Sequence, residues 1–363
     1  MRRITKKLLT FSIGILFVVI YCEFLIYYVV TAQCSWPKLF TSGSPDELKA
    51  LVIADTHLLG PYRGHWLDKW RREWQMHQAF QSIMTIHQPD AVFILGDLFD
   101  EGEWTNEKQF QDYVKRFHKL FPVDDGVTMQ VIVGNHDIGF HHNIRLGSAE
   151  RFFKALNTSS VKLVTIKGSH FIIVNSMAME GDSCHLCREA RFSLDKIAKS
   201  LGCSKSPSEC TEIPNFTYSQ PILMQHFPLF RTSDAQCKEP DAPPLPLRHK
   251  RFRNKIDALS REATEYLTRK FKPRAVFGGH THHGCLVHHK DDRKDIDFYE
   301  YSVPSFSWRN RPDPKYMLVT ISPHSYAVNK CGLPKETTIA VTAVILVFAV
   351  SYYTFKMRLI GRS

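Results

Sequence analysis

Five short fragments carry residue types able to bind cations and move phosphate charge: Asp55-Thr56-His57, Gly96-Asp97-Leu98-Phe99-Asp100, Gly134-Asn135-His136-Asp137, His226, and Gly279-His280-Thr281-His282. Carboxylates, amide oxygens and imidazoles are ligands of divalent cations. Two such ions about 3.5–4 Å apart form a clamp for an in-line displacement at phosphorus, and an anionic bridge holds them together. Alternate residues of an extended chain point the same way, so Asp55/His57 and His280/His282 can each aim two donors at one point. Asp97 follows a glycine, which lets the backbone approach closely. Asn135 adds a neutral oxygen. Each fragment alone is ordinary; Gly-Asp after a strand is commonly a turn, and a lone histidine such as His226 is commonly structural. All five in order is the informative observation.

The elements that must position these fragments can be read from apolar runs and periodicity. Leu48 to Ala54, Ala91 to Leu95, Thr128 to Val133, Ile222 to Gln225 and Ala275 to Phe277 read as strands, and each runs directly into one of the five fragments. Val161–Ile166, His170–Asn175, Phe298–Val303 and Tyr316–Ile321 read as further strands. Helices are expected over Trp66 to His87, with Trp70, Trp74, His77, Phe80 or Gln81 and Met84 as its recurring stripe. Others are expected over Lys108 to Leu120, Phe152 to Leu156, Arg188 to Leu201 and Ser260 to Lys270. Strands alternating with helices imply an α/β fold with buried, largely parallel strands and ligands beyond their carboxyl ends.

The 363 residues carry 47 Lys+Arg against 36 Asp+Glu, a formal net charge of +11. Aromatic content excludes a disordered chain. Two apolar segments, Leu8 to Thr31 and Thr337 to Phe355, lie near the ends, with Arg2, Arg3, Lys6 and Lys7 outside the first and Lys356, Arg358 and Arg362 outside the second. Both are long enough to cross a bilayer, and the basic flanks place both tails in the cytosol and the middle on the other side. A signal peptide is the competing reading of the first, with a poor cleavage site at Thr31-Ala32-Gln33. The expected organisation is a cytosolic tail 1–7, a span 8–31, a lumenal domain 36–336 with a cysteine-bearing insertion at about 181–247, a span 337–355 and a cytosolic tail 356–363. Between the spans the balance is 40 against 35, an ordinary solvated surplus, and no nucleic-acid motif is present.

Nine cysteines, five of them between 184 and 237, suit disulfides in an oxidising compartment, with connectivity open. Cys184 and Cys187, completed by Cys203 and Cys210, are alternatively a zinc site. Asn157-Thr-Ser and Asn215-Phe-Thr are glycosylation acceptors at the level of motif. His170 and His185 read as structural, and His141, His142, His283, His288 and His289 as surface or outer-layer residues. Trp66, Trp70 and Arg71 could line a sugar site but more readily fit a core or surface stripe; Trp308 and Arg309 could reach the cleft.

With all five fragments present, roughly residues 48–325 resemble the calcineurin-like metallophosphoesterases. That resemblance implies a four-layer sandwich, two mixed sheets face to face with helices outside, and two divalent ions, manganese by family habit. It implies Asp55, His57 and His282 on the first ion, Asn135, His226 and His280 on the second, and Asp97 bridging. His136 becomes the outer histidine near the scissile phosphate, oriented by Asp137 or Asp100. The stretch Gly64-His65-Trp66-Leu67-Asp68-Lys69-Trp70-Arg71-Arg72-Glu73, with the terminal spans, is similar to the branch that remodels glycosylphosphatidylinositol (GPI) anchors. That branch implies removal of ethanolamine phosphate from the second mannose of GPI-anchored proteins, contact with cargo receptors of endoplasmic reticulum exit, and residence between exit sites, the intermediate compartment and the cis-Golgi. The terminal Lys356-Met-Arg-Leu-Ile-Gly-Arg-Ser363 lacks an evident dilysine retrieval signal. A phosphodiesterase for lumenal nucleotides or phospholipid headgroups, and a non-catalytic trafficking scaffold, are the alternatives.

Overall fold

Alternation along the first strand decides the layering. Leu51 and Ile53 face one way, toward helices, while Ala50, Val52 and Ala54 face a second sheet, so β1 (Leu48–Ile53) is buried on both sides. The computed structural model describes residues 2–39, 46–181, 184–210 and 212–356; apart from Lys356, the C-terminal tail lies outside the described residues.

β1 pairs in parallel with β2 (Ala91–Leu95), which pairs in parallel with β3 (Thr128–Ile132). On the other side of β1 lie the antiparallel β10 (Lys315–Ile321) and β11 (Tyr326–Gly332). The second sheet has the order β4-β5-β6-β7-β9-β8, where β4 is Val161–Ile166, β5 Ser169–Val174, β6 Ile222–Gln225, β7 Ala275–Gly278, β8 Cys285–Asp291 and β9 Ile296–Ser302. Its centre is parallel and both margins are antiparallel. The sheets are thus mixed, where alternation alone pointed to largely parallel strands. Apolar residues of both sheets, among them Val52, Phe93, Phe171, Met224 and Phe277, form the shared inner core.

A long helical rod, α1, runs over Arg2–Ile20, a π-helical turn Tyr21–Leu25, and Ile26–Thr31. The domain helices are α2 (Trp66–His87), α3 (Glu107–Leu120), α4 (Leu146–Ala155), α5 (His185–Lys205) and α6 (Arg261–Phe271); α7 is Glu336–Lys356. The buried face of α2 is Met76, Ala79, Phe80 and Ile83, while Trp66 and Trp70 are 71% and 59% exposed. The stripe read from the sequence therefore meets the core at Phe80 and Met84, while its tryptophan end at Trp70 turns to the surface.

α1 and α7 contain the two stretches long and apolar enough to cross a membrane, Ile4–Thr31 and Glu336–Thr354, with 22% and 6% of their most apolar windows buried. A core helix of a soluble domain would be mostly buried. The two helices cross closely where a Cβ on Gly14 would stand 2.5 Å from a Val350 methyl.

Four disulfides form: Cys34–Cys331, Cys184–Cys187, Cys203–Cys210 and Cys237–Cys285, leaving Cys22 free and buried. Pairing of Cys184 with Cys187 and of Cys203 with Cys210 removes the four-cysteine zinc alternative. The Cys34–Cys331 bond closes 297 residues of separation and joins the end of α1 to the strand just before α7. A Cys34→Ser/Cys331→Ser variant should lose about 2–4 kcal/mol of stability, seen as a lowered Tm in detergent; an unchanged Tm would show that the link carries no stability.

Candidate metal centre

β1, β2, β3, β6 and β7 all deliver their carboxyl ends to one edge of the sandwich, so the residues that follow them converge between the sheets. Asp55, His57, Asp97 and His282 can each direct one ligand atom within 4.8 Å of the others, as can Asp97, His226 and His280. Asp97 belongs to both groups. Its Oδ2 lies 3.5 Å from His57 Nε2 and 3.2 Å from His226 Nε2, while its Oδ1 accepts the His136 backbone N–H at 2.8 Å. One oxygen is pinned by the chain; the other sits between the two groups, where a bridging ligand belongs. Asn135 Oδ1 is 3.1 Å from His226 Nε2, on the side of the second group.

Three of the four candidate ligand imidazoles have one nitrogen engaged away from the centre. His57 Nδ1 donates to Asp100 Oδ1 at 3.1 Å, and His226 Nδ1 donates to the Leu95 carbonyl at 2.7 Å. His280 Nε2 donates to the Ile256 carbonyl at 2.8 Å, leaving its Nδ1 buried with no partner. Such outer hydrogen bonds fix tautomer and ring direction in metal-bound histidines. His57 Nε2 and His282 Nε2 face each other at 3.1 Å, with Asp55 Oδ1 3.8 Å from the latter.

The residues fit divalent cations. An orphaned, buried imidazole nitrogen is costly unless something accepts its lone pair. Burial, with the charge of His226, pushes His280 down to about 3, and burial with His57 pushes His282 well below its usual value, so both are neutral and ready to donate lone pairs. Burial raises the Asp55 carboxyl well above its normal range and the charge on Asp97 raises it further. For Asp97, burial is outweighed by His226 and His136, which hold it ionised. A buried carboxylate group beside several unprotonated imidazoles is a cation site.

The backbone is strained at the same residues. Asp55, His57, Asp97, His280 and His282 all have positive φ, between 43° and 70°. Such conformations cost energy for residues with a Cβ and concentrate at functional sites. Close approach also demands glycine: a Cβ on Gly134 would lie 2.2 Å from the Asp97 backbone nitrogen and from its Oδ1.

His136 stands at the edge of the centre, 30% exposed, with Nδ1 donating to the Asp100 carbonyl at 2.9 Å. That backbone oxygen orients it. The Asp137 carboxylate instead accepts backbone N–H groups of Leu98, Phe99 and Gly134, tying two ligand loops together. Asp100 links His57 to Arg309, whose guanidinium reaches Asp100 Oδ2 at 3.0 Å. Arg309 therefore reaches the centre, whereas Trp308 is buried against Tyr27 and donates to the Pro334 carbonyl.

Among the histidines set aside by sequence, His170 is buried between Thr165 and Thr217, and His185 is paired with Glu189 at the surface. His283 lines a cavity of about 190 Å³ beside His280, together with Lys250, Arg251, Phe252 and Asp257. That cavity was not legible in the sequence, because its cations come from an irregular loop. Asn157 and Asn215 are both exposed, as glycan acceptors must be.

A family model described as calcineurin-like phosphoesterase matches residues 48–284. The chain is 48% identical to the metallophosphoesterase 1 homolog of Drosophila melanogaster over 326 residues, covering 89% of this chain and 86% of that protein. It is 45% identical to metallophosphoesterase 1 of Danio rerio, covering 89% and 85%. A purple acid phosphatase from yellow lupin seeds overlaps at a TM-score of 0.47 with 12% identity, covering 84% of this chain and 56% of that one. With its ligand loops at the carboxyl ends of two facing mixed sheets, the chain belongs to the calcineurin-like phosphoesterase family and is a metal-dependent phosphoesterase.

Proposed function

We propose that the chain is a two-span membrane phosphodiesterase that removes ethanolamine phosphate from the second mannose of GPI anchors. In this reading its domain faces the lumen between endoplasmic reticulum exit sites and the cis-Golgi, and two Mn²⁺ ions occupy the centre. The observation that carries the chemistry is the shared Asp97 Oδ2 with an unpartnered His280 nitrogen beside it. The substrate assignment is supported by the Gly64–Glu73 stretch and by the attachment of the domain to α1 and α7.

Bound divalent cations supply Lewis acidity to the phosphoryl oxygens and acidify a water. The chain's own groups do the rest. Asp55, His57, His282 and Asp97 hold one cation; Asn135, His226, His280 and Asp97 hold the other. Asp100 keeps the proton of His57 on Nδ1, so that Nε2 stays free to ligate. His136, with Nδ1 committed to a backbone carbonyl, keeps Nε2 for the substrate, where a proton can stabilise a phosphoryl oxygen and then pass to the departing alkoxide. The adjoining cavity is lined by both signs of charge, Lys250 and Arg251 against Asp234 and Asp257.

Mass spectrometry of GPI glycans from cells with and without the intact chain tests the substrate. Cells lacking it should retain ethanolamine phosphate on the second mannose, and the wild-type chain but not a ligand-loop mutant should remove it. Normal glycans in deficient cells, with purified protein cleaving nucleotides or phospholipid headgroups instead, would reassign the substrate.

A further inference from the structure

The direction of α1 relative to α2 decides where the metal centre sits. Glu23 of α1 pairs with Arg71 and Trp74 of α2, Thr31 bonds Ser82, and Trp36 bonds the His87 carbonyl. The two helices therefore run in the same direction, and α1 continues past the N-terminus of α2 from about residue 15 toward its own N-terminus. That N-terminus lies at the carboxyl ends of β1 and β2, because α2 is the crossover between these two parallel strands. At its other end, Asp90 exchanges hydrogen bonds with Lys49 at the start of β1. α7 leaves from the same place, since Glu336 pairs with Arg72. Both apolar helices thus depart from the end of the domain that holds the metal ligands.

The heights agree. At about 1.5 Å per residue, Leu8 to Glu23 rises about 22 Å and Glu336 to Thr354 about 27 Å; with Lys6 and Lys7 snorkelling at its outer end, the first also approaches the thickness of a hydrocarbon core. Glu23 and Glu336, each neutralised by an arginine of α2, mark one boundary of that core. Trp66, Leu67 and Trp70 lie on α2 N-terminal to those arginines, toward the core, and are exposed. Exposed Tyr62 and Trp104, the latter covered by the Arg63 guanidinium at 4.2 Å, continue the rim toward the Asp97–Glu101 loop. At the far end of α7, exposed Tyr352 and Tyr353 lie at the opposite boundary. Tryptophan and tyrosine favour both membrane interfaces, where ring and polar edge are each satisfied.

We propose that the first turn of α2, through Trp66, Leu67 and Trp70, inserts at the boundary between headgroups and acyl chains of the bilayer that α1 and α7 cross, and that this holds the metal centre against the membrane. The segment Ser305–Arg311 transmits the placement: Trp308 packs on Tyr27 of α1 while Arg309 grips Asp100 beside His57. The site then selects phosphodiesters displayed close to a bilayer over freely diffusing ones. This rests on the two-span phosphodiesterase reading and deepens it by giving a geometric reason for acting on membrane-tethered substrates.

The test uses the full chain in vesicles of phosphatidylcholine brominated on the acyl carbons nearest the headgroup. Wild-type tryptophan fluorescence should be quenched there, and Trp66→Ala/Trp70→Ala should abolish most of that quenching. Unchanged quenching in the double variant would overturn the proposal. On a small water-soluble phosphodiester the variant should match wild type. On a lipid-tethered phosphodiester in the same vesicles it should be slower by about tenfold, the weight of some 1.4 kcal/mol of interfacial contact. Equal slowing on both substrates would also overturn it. Absence of turnover on either by wild type would instead defeat the phosphodiesterase reading, while the quenching still decides the insertion.

Discussion

Asp97→Ala protein should lose metal-dependent turnover by on the order of 10³-fold or more, with bound metal falling by at least half. Among the described residues, Asp97 is the one whose side chain can ligate in both groups: Oδ2 stands between His57 and His226, and Oδ1 is held by the His136 backbone N–H. Asparagine would keep the shape and the N–H contact but lose the charge that offsets two cations, so Asp97→Asn should fail nearly as badly. Turnover of a chromogenic phosphodiester and elemental analysis of the purified chain check both effects. Retained turnover in either variant would remove Asp97 from the bridging position.

His136→Asn should keep its metal and lose about 10²–10⁴-fold in kcat, the range for general acid–base groups. The separation follows from geometry. The imidazole touches the Asp100 carbonyl through Nδ1, and the residue meets Asp97 only through its backbone N–H. If Nε2 delivers a proton to the leaving oxygen, the loss should be large for an alkyl leaving group and small for a nitrophenolate, which departs without protonation. A loss independent of the leaving group would assign His136 to charge stabilisation alone. A loss of metal would place it among the ligands.

Element positions were largely legible because both faces of the central strands are buried, which produces unbroken apolar runs such as Ala91–Leu95 between glycine- and proline-bearing turns. The helix Trp66–His87 was read with its observed bounds, yet its core face only in part. Its tryptophans follow helical spacing too, and periodicity alone does not say which of two apolar stripes turns to a sheet and which to another apolar environment. β8 and β11 were missed. Both are marginal strands with alternating or partial burial, and β8 carries His288, His289 and Lys290, so neither shows a run.

The ligand types at the strand ends were readable because motif and strand end coincide. The contacts that orient them were not. Backbone carbonyls of Leu95, Ile256 and Asp100 set three of the imidazoles, and a carbonyl has no signature in a sequence. Arg309 reaching Asp100 across 209 residues is a product of sheet packing, and no local pattern announces it.

The bond between Cys34 and Cys331 turns the chain between them into a covalent ring, with α1 and α7 leaving from its clasp. A protease nicking the polypeptide once inside that ring leaves every fragment attached. With α1 and α7 as separate anchors in the two-span reading, release of the domain would require scission on both sides of the clasp, and a secreted form should not arise from a single cleavage.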